Sequence, residues 1–472
     1  MVIETDSKDF HSDTSWSNRT DCMVRARKMI GLFHHVGGGN LGDDATLDAV
    51  MWNIRQRWPR AVIIALSINP DDTRKRHGIP AYPISAKTWS FGYAPPRTGA
   101  TLKEAVKNRT KQCRILFRLL SAANALAIRL PRAVFRELSF LAASFRVIRS
   151  LNLLVISGGG QITEQDGPWA FPYTIFKWIL LAKFARVKRV FLNVGAGPLT
   201  HPVSRFFAKR ALLAADYVSF RDGQSQALSE EIGFKEGSLV FPDCAYSLEV
   251  PATDISSFEK REWPVVGIAP FPYGDPRLGG AKGTRIMYED FIAKCAVFAS
   301  GLIRRSYSLT LFGTDIGFDP LAIEDLQTAL RNRHSVTRLP YDSVKSTKEL
   351  LAAMNKMDYV VTCRFHGVVF AHLLNKPILA LSHHSKVATL MNDIGLSEYC
   401  VDIDSFEADS LLSTFRLLVE NGESIKGRLA AALARYRGEL ASQFDDLFPR
   451  ATPAMPCRDS QSDEKLEGAG RA

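Results

Sequence analysis

Short runs of Val, Ile, Leu and Phe alternate along the chain with longer stretches in which apolar residues recur at helical spacing. A parallel sheet covered by helices on both faces has this rhythm, because its strands are buried and read as continuous apolar runs. The pattern predicts strands at Met29–Phe33, Val62–Ile68, Leu153–Ser157, Arg189–Val194 and Tyr217–Phe220, and a helix over Asp43–Trp58. Each strand stops at glycine or a charged turn. After a polar, proline-bearing stretch the rhythm restarts, with strands at Val265–Ala269, Leu309–Phe312, Tyr359–Thr362 and Ile378–Leu381.

The expected fold class is therefore α/β, with two Rossmann-like doubly wound domains facing across a cleft, a GT-B-like arrangement. The expected boundaries are a polar extension over residues 1–25, a first domain over 26–250, a linker over 251–264 and a second domain over 265–404. Closing helices over 405–449 and a disordered tail over 450–472 complete the chain. One stretch, about residues 102–150, breaks the rhythm and reads as a basic helical insertion in the first domain, a hairpin turning near Pro131. Between Lys111 and Ser150, eight basic residues (Lys111, Arg114, Arg118, Arg129, Arg132, Arg136, Arg146 and Arg149) stand against one acid, Glu137, among Leu, Ile and Phe. Two readings stay open: a basic amphipathic surface for an anionic membrane, or a packed helix with a solvated charged face.

At 472 residues and 46% hydrophobic content, the chain can fill two domains of ordinary size. The net charge of +11 calls for an anionic partner: nucleic acid, a lipid surface or a small phosphorylated molecule. Nucleic acid is not expected, since the basic stripe is the apolar insertion and no reading module is visible. The seven cysteines form no CxxC pair, which argues against a disulfide framework or a thiolate zinc site and suits a reducing cytoplasm. The segment from Glu4 to Asp21 is polar and acidic, unlike a signal peptide. No segment reaches the roughly 18 uninterrupted apolar residues of a membrane span, because Lys177 and Lys183 break even Tyr173–Ala185. The expected location is cytoplasmic, peripheral at the inner membrane if the insertion binds lipid.

Glycine turns follow three of the strands. Gly37-x-Gly39-x-x-Gly42 matches a dinucleotide fingerprint, yet Asp43 and Asp44 stand in the first helical turn, where a pyrophosphate would be repelled. A tight turn with an aspartate cap explains it equally well. Gly158-Gly159-Gly160 and Gly195-Ala196-Gly197-Pro198 end two further strands, where ligands bind in such sheets. Ser219-Phe220-Arg221-Asp222-Gly223-Gln224-Ser225 and Thr362-Cys363-Arg364-Phe365-His366-Gly367 each place an arginine just past an apolar strand and before a helix. Each pairs a guanidinium with helix N-terminal amides, an anion site, and His366 is close enough to share the ligand of Arg364. Alternatively, Arg221 pairs with Asp222 or Asp243, and His366 is a satisfied buried histidine.

Asn40-Leu41-Gly42-Asp43, Gly158-Gly159-Gly160, Gly195-Ala196-Gly197-Pro198, Arg221-Asp222-x-x-Ser225, Asp243, Arg364-Phe365-His366-Gly367 and Lys386 form an ordered set. Over roughly Met29–Asp402, without the insertion, that set resembles the polysaccharide pyruvyltransferases, with Phe365 where leucine is common and Asp44 where glutamate is common. The resemblance implies transfer of a pyruvyl group from phosphoenolpyruvate onto two hydroxyls of one sugar, giving a cyclic ketal and phosphate. It implies donor-site roles for Arg221, Arg364, His366 and Lys386, with glycines 159, 160, 195 and 197 lining the crevice. No cofactor is implied beyond the donor itself.

The residue types suit that chemistry. Guanidinium forks hold a carboxylate and a phosphate bidentately. A histidine titrating near neutrality can protonate the vinyl carbon, which makes His366 the expected acid. Asp43, Asp222 or Asp243 is the expected base, helix capping being the competing explanation for each. Trp169 is a candidate to stack on the acceptor sugar, a polyprenyl-linked or growing saccharide; packing is the competing fate. The adjacent pairs His34-His35 and His383-His384 diverge on a strand and lack acids at ligand spacing, so no metal is expected. Two rival functions are a GT-B glycosyltransferase using a nucleotide sugar and a non-catalytic saccharide-assembly relative.

Overall fold

The computed structural model describes residues 27–86, 130–250, 262–278, 285–334, 336 and 338–450. The expected extension, the tail after 450, the first arm of the insertion and all of the linker but 262–264 lie outside the described residues.

The first domain is built on seven parallel strands: β1 (Met29–Phe33), β2 (Val62–Ser67), β3 (Ala81–Pro83), β4 (Leu153–Ser157), β5 (Lys188–Val194), β6 (Tyr217–Phe220) and β7 (Leu239–Val240). Their order is β3-β2-β1-β4-β5-β6-β7. The second domain has β8 (Val265–Ala269), β9 (Ser308–Leu311), β10 (Tyr359–Thr362), β11 (Ile378–Ser382) and β12 (Cys400–Asp402), ordered β12-β11-β10-β8-β9. In each sheet the order reverses once, between β1 and β4 and between β8 and β10. Such a switch point opens a crevice at the carboxyl ends of the strands.

The helices that matter to the site start at those strand ends: α1 (Leu41–Arg57) after β1, α2 (Pro70–His77) after β2, α4 (Phe171–Phe184) after β4, α5 (Pro202–Leu213) after β5 and α6 (Gly223–Glu231) after β6. Between α2 and α4 comes α3 (Leu130–Arg149), the described part of the insertion, with Pro131 in its first turn. In the second domain α7 (Arg285–Ile303), α8 (Asp319–His334), α9 (Thr347–Asn355), α10 (Phe365–Leu373) and α11 (Ser385–Asp393) cover the sheet, and α12 (Ala408–Glu420) and α13 (Gly422–Leu447) close the chain.

Burial divides between two clusters. On one face of the first sheet, Phe33, Ile156 and Phe191 pack with Trp178 of α4 and Ala208 of α5. On the other face, Leu32, Val155 and Leu192 pack with α1, and the same cluster runs through Tyr246 and Tyr436 into the second domain. The two domains therefore share apolar contact. The last helix crosses back onto the first domain: the Gln443 amide donates to Asn193 Oδ1 at 2.8 Å, and Arg57 Nε to Asp445 at 2.9 Å. Backbone bonds join the domains as well, from Leu41 N to Thr314 O (2.8 Å) and from Ile316 N to Gly39 O (2.9 Å).

Candidate functional site

Asn40 caps α1 by accepting from Gly42 N at 3.0 Å, which turns Asp43 and Asp44 into the first helical turn. They part there. Asp44 binds His77 Nε2 (3.2 Å) and Arg76 Nη1 (3.3 Å), anchoring α1 to α2. Asp43 instead lies against the Gly158-Gly159-Gly160 turn, its Oδ1 only 2.8 Å from where a Cβ on Gly159 would stand. Gly42 sits against the second domain: a Cβ there would lie 2.0 Å from Nδ1 of His366. Glycine at 42 thus lets α10 bring His366 onto the start of α1.

Arg221 lies across Gly195, where a Cβ would stand 2.8 Å from its Nε. Its Nη1 donates to Asp243 Oδ2 at 3.3 Å, and its guanidinium stacks on the ring of Phe365, across the domain boundary, 4.3 Å from the centroid. Asp243 is fully enclosed; it also accepts from Ala245 N (3.0 Å) and stands 3.8 Å from His366 Nε2. Arg364 stacks on Phe271 at 4.6 Å and gives its Nε to Asp319 at 2.8 Å, with Asp315 at 3.7 Å from Nη2. Asp319 also accepts from Thr314 N and Asp315 N, so the loop that docks on Asn40 holds Arg364 too. Arg221 Nε and His366 Nε2 are buried here without a hydrogen bond, as are the His34 ring nitrogens and His35 Nε2, and Arg221 Nε stands 3.5 Å from Asp222 Oδ2 as an ion pair.

Charge is the dominant property of this junction. Burial pushes the Asp43 carboxyl up to about 7, with Asp44 adding to the rise and Arg221 opposing it. Burial lowers His366 to about 4 against the pull of Asp243, and Arg221 and Lys386 add to the drop. In the free site this holds His366 below the near-neutral range expected of it. Burial also lowers Lys386, beside Arg221 and Arg364, to about 8. Arg364 loses by burial but is raised overall by Asp319 and Asp315.

The structure thus brings Arg221, Arg364, His366, Lys386, Asp43 and Asp243 together with Gly159 and Gly195. Asp222 serves as the N-cap of α6, accepting from Ser225 N at 2.7 Å, and Ser225 Oγ accepts in turn from Ala196 N at 2.9 Å. Gly160 has open space about it, and Gly197 lies beside Leu228. Trp169 is 69% exposed and packs on the half-buried Tyr173 and the buried Phe207 at 5.6 and 5.5 Å, at the same sheet edge. His384 caps α11, and His383 stacks on Phe271 at 4.4 Å. Among the described residues no group of three metal-ligating side chains occurs, and no helix is long and apolar enough to cross a membrane. Sequence reasoning missed Asp315, Asp319 and Phe271. Asp319 lies 45 residues before Arg364, and no spacing rule links the two.

Comparison with known proteins bears on this geometry. The amylovoran biosynthesis protein AmsJ of Erwinia amylovora is 19% identical over 311 residues, which cover 61% of this chain and 71% of that protein. UDP-GlcNAc 2-epimerase from Neisseria meningitidis, solved with UDP-GlcNAc, superposes with a TM-score of 0.51 at 12% identity over 89% of this chain and 99% of that one. S. aureus MnaA, solved with UDP, gives 0.50 at 11% identity over 88% and 94%. These two likenesses show the two-domain GT-B-like fold. Residues 40–385 match the polysaccharide pyruvyl transferase family, a span running from the cap of α1 to the first residue of α11. That span holds Asp43, Arg221, Asp243, Arg364 and His366 in one junction between two switch points, and the chain belongs to the polysaccharide pyruvyltransferase family.

Proposed function

We propose that the protein transfers the enolpyruvyl group of phosphoenolpyruvate to two hydroxyls of one sugar in a saccharide precursor of a surface polysaccharide. The observation that carries this reading is the convergence of Arg221, Arg364 and Lys386 on one junction, where Arg221 Nε and His366 Nε2 are buried without hydrogen bonds, 3.5 Å from Asp222 and 3.8 Å from Asp243. Buried polar groups without hydrogen bonds are rare and costly, and an anionic donor supplies what they lack. Arg221 and Arg364 hold the carboxylate and phosphate, with the uncapped N-terminus of α10 and Lys386 adding positive potential. On this reading phosphoenolpyruvate brings its own activation, so the protein supplies only charge and protons.

A proton adds to the vinyl carbon, leaving an oxocarbenium-like centre at C2. One sugar hydroxyl attacks it and gives up its proton. The second hydroxyl then displaces phosphate, which leaves with the C2–O bond electrons and takes up that hydroxyl's proton, and the ketal ring closes. Asp43 is the proton donor on this account: its carboxyl is already raised to about 7, and a bound anion raises it further. His366, neutral in the free site, takes the hydroxyl proton. The reading thus reverses the role expected for His366.

The test is incubation with phosphoenolpyruvate and lipid-linked saccharides in D₂O. Phosphate release together with deuterium in the ketal methyl is the expected outcome. Phosphate release without a deuterated methyl, or transfer of a sugar from a nucleotide donor, would contradict it.

A further inference from the structure

Outside the junction, the N-terminal half of α3 leaves a group of large apolar side chains in solvent. Its inward face is already supplied: Ser144 and Ile148 are buried, Phe140 packs on Trp178 and Tyr82, and Glu137 pairs with Lys177 at 2.9 Å. Val134, Phe135 and Leu138 stay 50%, 74% and 59% exposed, far more than apolar residues of a packed helix need be. At about 100° per residue these three fall on one flank, and the exposed Arg132 and Arg136 on the next. The surface continues through Tyr173, which reaches Glu137 at 3.4 Å, to the exposed Trp169 and, across the buried Phe207 on which both Trp169 and Phe206 pack, to the half-exposed Phe206, on which Arg210 stacks. The starts of α3, α4 and α5 all stand at the carboxyl edge of the first sheet.

We propose that this surface docks the first domain on the headgroup layer of an anionic membrane. Exposed aromatic and aliphatic side chains flanked by arginines match the two parts of such a layer, apolar below and anionic above. The basic flank calls for an anionic layer, and the exposed acid of the adjoining loop, Asp166, limits the contact to α3, Trp169 and the exposed residues of α5. Membrane binding stands without the proposed reaction. The orientation rests on it: the sheet edge carrying the donor site would face the layer that holds a lipid-linked acceptor.

Flotation of the full chain with phosphatidylglycerol-containing vesicles, against phosphatidylcholine vesicles, tests the proposal. The protein should float with the former alone and be released by salt. Arg132→Gln/Arg136→Gln should lower partitioning roughly tenfold or more, and Phe135→Ser/Leu138→Ser should lower it as well. These exposed positions lie away from the donor site, so phosphate release with a soluble acceptor should be unchanged, which separates this proposal from the reaction. Equal flotation of wild type and both variants, no flotation at all, or a wild-type dimer that the serine variant abolishes without any vesicle binding would each overturn it.

Discussion

Asp43 and His366 are pushed in opposite directions by one burial, the carboxyl up to about 7 and the imidazole down to about 4. A group needed protonated with the higher value, and one needed neutral with the lower, give a bell-shaped kcat/KM falling below about pH 4 and above about pH 7. Asp43→Asn should lose roughly 10²–10⁴ in rate and the basic limb with it; His366→Gln should lose the acidic limb. A basic limb that survives in the asparagine variant would remove Asp43 from proton donation. Stability carries the same signature. With its folded value raised, Asp43 holds more protons in the native than in the unfolded chain between about pH 4 and 7, so its contribution to stability falls as pH rises through that window. Asp43→Asn should be the more stable protein near pH 8, by on the order of 1–4 kcal/mol, with no gain near pH 4, as thermal unfolding would show. Arg221, Arg364 and His366 were legible in the sequence because each follows an apolar strand and opens a helix. The raised proton affinity of Asp43 was not, because it comes from burial, with Asp44 and Asp243 adding to it against the opposing charges of Arg221 and Lys386, and that enclosure is made only by the fold.

At the level of elements, the long central strands were legible because burial on both faces makes them continuous apolar runs. The short edge strands β3, β7 and β12 were not; β7 has two residues, both exposed, and leaves no pattern to read. The junction of α1 with α10 was equally invisible, since it depends on the absence of a side chain. Gly42→Ala tests that junction. Alanine favours a helix over glycine, so local propensity predicts a gain, yet the new methyl would meet the His366 ring and its Cβ at 2.0–2.5 Å. The expected result is a loss of about 1–3 kcal/mol, recovered in part by His366→Ala in the same chain. Stability unchanged or raised in the single variant would mean that the domains do not meet at this point.

For the whole molecule, the repeated strand–helix rhythm and the net charge of +11 pointed to two domains and an anionic partner. Hidden from that pattern were the contacts that join the domains: a cluster continuous through Tyr246 and Tyr436, the return of α13 to Asn193 and Arg57, and the loop at Thr314–Ile316 that docks on Gly39–Leu41 while Asp319 holds Arg364. They set Arg221 from one domain and Arg364 from the other around a single site, and that shared site is the central claim. Calorimetric titration of the full chain with phosphoenolpyruvate, with UDP as control, tests it most directly. The account predicts saturable binding of phosphoenolpyruvate and none of UDP, with Arg221→Ala and Arg364→Ala each weakening the former by about 2–5 kcal/mol. Undiminished phosphoenolpyruvate binding in both variants, or saturable UDP binding in its place, would contradict it.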